Sequence, residues 1–176
     1  MLGAGKLGKV RLAHRQDRRE KKYAVKSNPL AHIDRAHLRQ FEKEAHLLRQ
    51  LDHPNIVRLH EILKDNAHVH LVMDYCAGGE LFAQINEAEK VEEKYAATIM
   101  QQLLYAIAYL HDRRICHRNV RPDNFLFAEK SKDSEIKLID FGFSWSYSRR
   151  SLASITELQG ITATADGLDV GDRKEN

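Results

Sequence analysis

The sequence predicts an α+β protein: a small antiparallel sheet carrying one helix over residues 1–73, then a mainly helical part over 74–146. Three observations predict it. Short apolar runs at 9–13, 23–26, 56–63 and 69–73 alternate like strands and are separated by polar turns such as Lys64-Asp65-Asn66. Between the second and third runs, Leu38, Phe41, Ala45 and Leu48 recur at three and four residues, which is the spacing of an amphipathic helix over 34–51. Over 95–113, Ile99, Met100, Leu103, Leu104, Ile107 and Leu110 form a broad apolar stripe, the clearest helix in the chain and a core-forming one.

A chain of 176 residues with 43% hydrophobic and 30% charged positions can bury a real core. Its 28 Lys+Arg against 25 Asp+Glu give a formal net charge of only +3, too balanced for a dedicated nucleic-acid binder. The basic cluster Arg11, Arg15, Arg18, Arg19, Lys21 and Lys22 reads as a solvated hairpin turn. Cys76 and Cys116 lie far apart with no C-x-x-C spacing, so neither a disulfide framework nor a cysteine zinc site is expected, and a reduced cytoplasmic setting fits. No apolar run approaches bilayer length, and no membrane partner is expected.

Taken in order, the chain begins with L-G-A-G-K-L-G-K-V, in which Gly3, Gly5 and Gly8 precede Val10. Glycines so spaced let backbone N–H groups approach phosphates. The rival is a dinucleotide-binding turn, which needs a buried strand before and a helix after. Only Met1 and Leu2 precede Gly3, and 9–13 alternates like a strand, so a hairpin is expected. The next strand ends at Lys26, by itself as consistent with a snorkelling surface lysine as with a functional one. On the following helix Glu44 and Glu42 are both candidates to face it, with Pro54 beyond the helix end. Residues 74–82, D-Y-C-A-G-G-E-L-F, follow the last strand of the sheet. After the long helix come I-C-H-R-N-V-R-P-D-N over 115–124, short strands at 125–127 and 136–139 flanking a charged turn, and Asp140-Phe141-Gly142.

Together, the glycine loop, strand lysine, helix glutamate, 74–82 segment, 115–124 loop and D-F-G, in this order, resemble a protein kinase domain over residues 2–148. The resemblance implies a protein-kinase-like fold, with an N-lobe over 1–73 and a partial C-lobe over 74–146. It also implies ATP and Mg²⁺ as cofactors, held at Gly3, Gly5, Gly8 and Val10, at Lys26 paired with Glu44, and at Met73, Asp74, Cys76 and Glu80 around the adenine and ribose. Asn124 and Asp140 are the implied metal ligands. Leu48, Leu59, His117 and Phe141 match the family's stack of residues linking the lobes, and Leu7 stands where the family usually has an aromatic.

Two positions depart from the family's H-R-D-L-K-P-E-N. Asn119 replaces the aspartate that accepts the substrate proton, and an amide has no basic site near neutral pH. Loss of such a base removes roughly 10²–10⁴-fold in rate, or about 3–5 kcal/mol of barrier. Arg121 replaces the lysine that contacts the transferred phosphoryl, a planar fork for a compact ammonium. R-P-D-N nevertheless resembles the serine/threonine form K-P-E-N. The strings L-D-H-P-N-I-V-R-L, G-G-E-L-F and N-F-L-F resemble calcium-dependent and calcium/calmodulin-dependent kinases, although no calcium-binding loop occurs in this chain.

From 147 onward the text is polar, without sustained periodicity and without A-P-E, so a divergent, disordered tail over 147–176 and a truncated kinase with exposed apolar faces are expected. Three functions follow: a serine/threonine kinase with weak or absent catalysis acting on an unknown protein substrate, a pseudokinase that binds nucleotide or scaffolds a partner, or a fragment without a stable fold.

Overall fold

A computed structural model describes residues 2–147 apart from 6–7, 17–18, 32–34, 88–89 and 132. Leu7, Arg18, Asp34 and the tail beyond 147 therefore lie outside the described residues, as do the side chains of 3–8 and 35–38. The chain runs β1 (Gly3–Gly5), β2 (Gly8–His14), β3 (Lys22–Pro29), α1 (Arg35–Leu48), β4 (Leu59–Lys64) and β5 (His68–Asp74). It continues through β6 (Gly79–Glu80), α2 (Leu81–Glu87), α3 (Glu93–Asp112) and β7 (Ile115–Cys116). A 3-10 turn (Pro122–Asn124), β8 (Phe125–Phe127), β9 (Ile136–Leu138), a second 3-10 turn (Phe141–Phe143) and β10 (Trp145–Ser146) complete it.

The first five strands form one antiparallel sheet in the order β1-β2-β3-β5-β4. Its register sets Lys26 opposite Val10 on one side and Leu71 on the other. Gly5 pairs with Gly8, so the glycine stretch is the predicted hairpin. Arg11 and Lys22 are strand residues of β2 and β3, and only the middle of the basic cluster lies in the turn between them. Arg15 there meets Glu61 of β4 at 2.7 Å.

α1 turns Phe41, Ala45 and Leu48 inward at the spacing the sequence shows, and Phe41 and Ala45 pack on Leu71 of the sheet. It ends at Leu48, well before Pro54. The expected strand over 56–63 begins later, at Leu59, because Ile56 is taken by a parallel bridge to Leu138 of β9, and a register shift interrupts β4 between Leu59 and Glu61.

Beyond β5, β6-β8-β9 make a three-stranded sheet and β7 pairs with β10. The larger core joins Leu48, Leu51, Ile56 and Val57 to Ile99, Ala106, Leu110, Phe125, Phe127, Ile136, Leu138 and Phe141. Each such fully buried Leu, Ile or Phe is worth roughly 1.5–3 kcal/mol against exposure. α3 supplies Ile99, Ala106 and Leu110 from one face. Met100 and Leu104, read from the sequence as part of the core stripe, are instead 52% and 56% exposed. They follow Ile99 and Leu103 by one residue, a step of about 100° around a helix, which carries them off the buried face. Phe82, Ile85, Tyr105 and Phe143 are also exposed.

Gly78 is required by close approach. Its N–H and that of Ala77 donate to the Phe127 and Ala128 carbonyls, and a Cβ there would run into the Glu129 carbonyl oxygen and the Phe127 Cβ. Gly79 has φ +84 instead, a left-handed turn with open space around it.

Candidate nucleotide site

Lys26 enters the site from the middle of β3, fixed by ladder partners on both sides. Its Nζ donates to Glu44 Oε1 at 2.7 Å and Oε2 at 2.9 Å, so the partner on α1 is Glu44. Glu42, the rival, is exposed. The pair is sheltered, with side-chain exposures of 13% and 2%. Burial pushes the Glu44 carboxyl above its ordinary value, and Lys26 pulls it back only in part. Lys26 Nζ also lies 4.0 Å from Asp140 Oδ1, so one ammonium faces two carboxylates.

Asp140 closes the site from the other side. Its φ of 62° is left-handed, a conformation that costs a non-glycine residue about 1–2 kcal/mol. The turn around it holds that shape. Ile139 N–H donates to the Asn124 carbonyl at 2.9 Å, and Gln40 of α1 donates to the Gly142 carbonyl at 2.6 Å. Phe141 is buried edge-on against His117, with ring centroids 4.7 Å apart. His117 donates from Nε2 to the Ile139 carbonyl, and its buried Nδ1 meets no partner among the described residues. Burial accordingly holds this imidazole below its ordinary value, against the pull of the Ile139 carbonyl and Asp140. Leu48 and Phe141 share the larger core, and Leu59 packs against it. Arg118, with φ 63°, donates from Nε to the Phe143 carbonyl at 2.7 Å.

Asn119 is in contact with Asp140: its Nδ2 donates to Asp140 Oδ2 at 3.2 Å. Asn124, buried at the end of its 3-10 turn, donates from Nδ2 to the Asn119 carbonyl at 2.7 Å. That bond leaves Oδ1 as the atom of Asn124 able to ligate a cation. A carboxylate and an amide oxygen suit Mg²⁺, which takes few protein ligands and completes its shell with water and phosphate oxygens. Arg121 is turned outward instead, 60% exposed, with Nε on Asp123 Oδ2 at 2.6 Å.

Along the 74–82 segment, the Asp74 N–H is spent on the Arg58 carbonyl, while the Cys76 N–H meets no backbone acceptor among the described residues. Sequence reasoning missed what grips Asp74: its carboxylate accepts from His60 Nε2 at 2.7 Å and lies 3.5 Å from Lys137 Nζ. Lys137 also donates to the Pro54 carbonyl at 2.9 Å. The one available signal was alternation in β9, which turns Lys137 away from the core beside Ile136 and Leu138. Burial pushes the Cys76 thiol up to about 11, so it is protonated at neutral pH. Met73 packs on both cores, Val10 is half-buried opposite Lys26, and Glu80 is exposed.

A five-stranded sheet with a helix-borne glutamate on its lysine, facing an aspartate that precedes Phe-Gly, is the α+β arrangement that the sequence leads one to expect. The sequence profile of the protein kinase domain matches residues 1–163, and the chain belongs to that family. It is 46% identical over 105 residues to calcium-dependent protein kinase 3 of Plasmodium yoelii yoelii, covering 60% of this chain and 20% of that protein. It is 37% identical over 171 residues to calcium/calmodulin-dependent protein kinase type 1 of Macrobrachium nipponense, covering 95% of this chain and 45% of that protein. Putative ribosomal protein S6 kinase alpha-2 of Caenorhabditis elegans is 39% identical over 144 residues, with 76% of this chain and 19% of that protein covered. The chain thus spans between about a fifth and under half of these relatives' lengths. No helix among the described residues is long and apolar enough to cross a membrane.

Proposed function

We propose that this chain is the nucleotide-binding portion of a serine/threonine protein kinase, with an N-lobe over 1–73, a partial C-lobe over 74–146 and a divergent tail over 147–176. The observation that carries the proposal is the sheltered Lys26–Glu44 pair, with Asp140 4.0 Å from the same ammonium. Lys26 positions the α- and β-phosphates of ATP. Asn124 and Asp140 ligate Mg²⁺, which when bound offsets phosphate charge. Gly3, Gly5, Gly8 and Val10 cover the phosphates. Met73, Asp74 and Cys76 border the adenine, with the Cys76 N–H as donor, and Glu80 reaches the ribose.

Phosphoryl transfer to a protein hydroxyl is weak or absent. Asn119 can orient a hydroxyl but cannot take its proton, and Arg121 is engaged with Asp123. A pseudokinase reading, in which nucleotide binding or scaffolding is the output, is favoured by the Asn119–Asp140 bond, which commits the residue at the base position to the metal ligand. Both readings place the protein in the cytoplasm, with no nucleic-acid partner.

A thermal-shift titration with ATP and magnesium tests nucleotide binding. At a hundredfold excess over Kd, a ligand specific for the folded state adds about 2.7 kcal/mol, and Lys26→Ala abolishes the shift. A peptide-phosphorylation assay then separates the two readings. Measurable turnover that rises in Asn119→Asp identifies a weakened kinase, and binding without turnover identifies a pseudokinase.

A further inference from the structure

Each oxygen of the Asp140 carboxylate already faces a donor in the protein itself. Oδ2 accepts from Asn119 Nδ2 at 3.2 Å, and Oδ1 faces Lys26 Nζ at 4.0 Å. Asn119 is in turn held at its own carbonyl by Asn124 at 2.7 Å. Asn119 therefore links Asn124, through its main-chain carbonyl, to Asp140, through its side-chain amide, and ties both proposed metal ligands to one residue without an ion.

An aspartate at 119 could not make this contact, because two carboxylate oxygens at such a separation repel unless a cation lies between them. The charge facing the phosphates differs as well. Lys26, Glu44 and Asp140 sum to one negative charge with a neutral residue at 119, and an aspartate there would make it two. A polyanionic phosphate chain arriving without its metal meets correspondingly less repulsion.

We propose that Asn119 is a specificity-determining residue that frees nucleotide binding from its divalent-cation requirement, its amide holding Asp140 in place of the ion. The inference rests on the nucleotide-binding reading above. The site accepts a nucleoside triphosphate in metal-free form, and magnesium adds little to its affinity.

The test is ATP binding by calorimetry and thermal shift, in excess EDTA and in excess magnesium, for the natural chain, Asn119→Asp and Asn119→Ala. The natural chain is expected to bind ATP in EDTA within about tenfold of its magnesium affinity. In Asn119→Asp the ratio widens by on the order of tenfold to a hundredfold, the effect of one added charge near the phosphates. Asn119→Ala, which keeps the charge but loses the donor, falls between them. Binding of the natural chain in magnesium but not in EDTA overturns this inference and leaves the nucleotide site standing, as does an equal ratio in Asn119→Asp. Absence of binding in both conditions overturns the two together. Should Asn119→Asp fail to fold, the EDTA arm of the natural chain and Asn119→Ala decides the matter.

Discussion

Gln40 Nε2 donates to the Gly142 carbonyl at 2.6 Å, joining α1 to the turn that follows Asp140 across 102 positions of sequence. The helix bearing Glu44 and the turn bearing Asp140 are thus tied to each other as well as to Lys26. Gln40→Ala is expected to lower stability by about 0.5–1.5 kcal/mol, the net worth of one such bond. Hydrogen exchange across 140–143 should accelerate together with the turn of α1 around Gln40. A drop in stability with exchange unchanged there would contradict the coupling.

Lys26→Met leaves the Glu44 carboxylate buried without its partner. Breaking a buried pair in this way costs about 3–5 kcal/mol at neutral pH. The loss should shrink in acid. Glu44 already titrates above its ordinary 4.5 through burial, so the penalty is absent below that value and is incurred as pH rises through the raised one. Urea midpoints of the variant and the natural chain at pH 5 and pH 7.5 check both the size and the sign, and Lys26→Met/Glu44→Leu should recover much of the loss.

Histidine protonation should undermine the fold from the opposite side. His117 is held below 6.5 mainly by burial, against the Ile139 carbonyl and Asp140; His53 is held below it by burial and by Arg113 and Lys137. In both rings the unprotonated nitrogen is Nδ1, which at His117 has no acceptor to meet and at His53 accepts from the Asn55 N–H. The stabilisation is complete above 6.5 and is lost as pH falls toward the folded values, by up to about 1.4 kcal/mol per pH unit for the proton His117 takes up on unfolding and by less for the more exposed, solvent-screened His53. Thermal melts between pH 7.5 and 5 should show the decline, and His117→Phe should flatten part of it.

Asn55 is a third joint. Its Nδ2 donates to Gln102 Oε1 of α3 at 2.8 Å and to the Ile136 carbonyl at 3.0 Å, while its own carbonyl accepts from Leu138 N–H. Asn55→Ala strips the side-chain donor from the buried Ile136 carbonyl, while Gln102 Oε1 keeps the Ile136 N–H, and is expected to cost about 1–3 kcal/mol in a chemical-denaturation curve. An Asn55→Asp change should cost more, since its carboxylate would face the Ile136 carbonyl.

What the sequence made legible follows from length and from spacing. α3 is twenty residues long and α1 fourteen, enough turns for an apolar stripe to repeat, and both lie where the stripe falls. α2 was not legible: it is seven residues long with only Leu81 buried, too short for a period to register. The pairing of β7 with β10, two residues each, is likewise set by packing around His117 and Ser144 rather than by any pattern of its own. Glu44 and Glu42 were separated in the sequence only by the family resemblance, and in the structure by the bond from Lys26 to Glu44. The left-handed conformations of Arg114, Arg118 and Asp140 carry no glycine to announce them. The Asn119–Asp140 bond was hidden for a different reason, because a substitution read as the loss of a base says nothing about the new hydrogen bond an amide can donate.

Gly78 bears on how the molecule can move. Ala77 and Gly78 are laced to β8 by main-chain bonds, and no side chain fits at 78, so this point of the chain is a fixed pivot. Asp74, just before it, is moored to His60 and Lys137. Along the 74–78 segment, freedom to turn is therefore left to the two residues between these anchorages, Tyr75 and Cys76. The swivel in this crossing is shorter than the segment itself, and the adenine donor proposed at Cys76 sits on it.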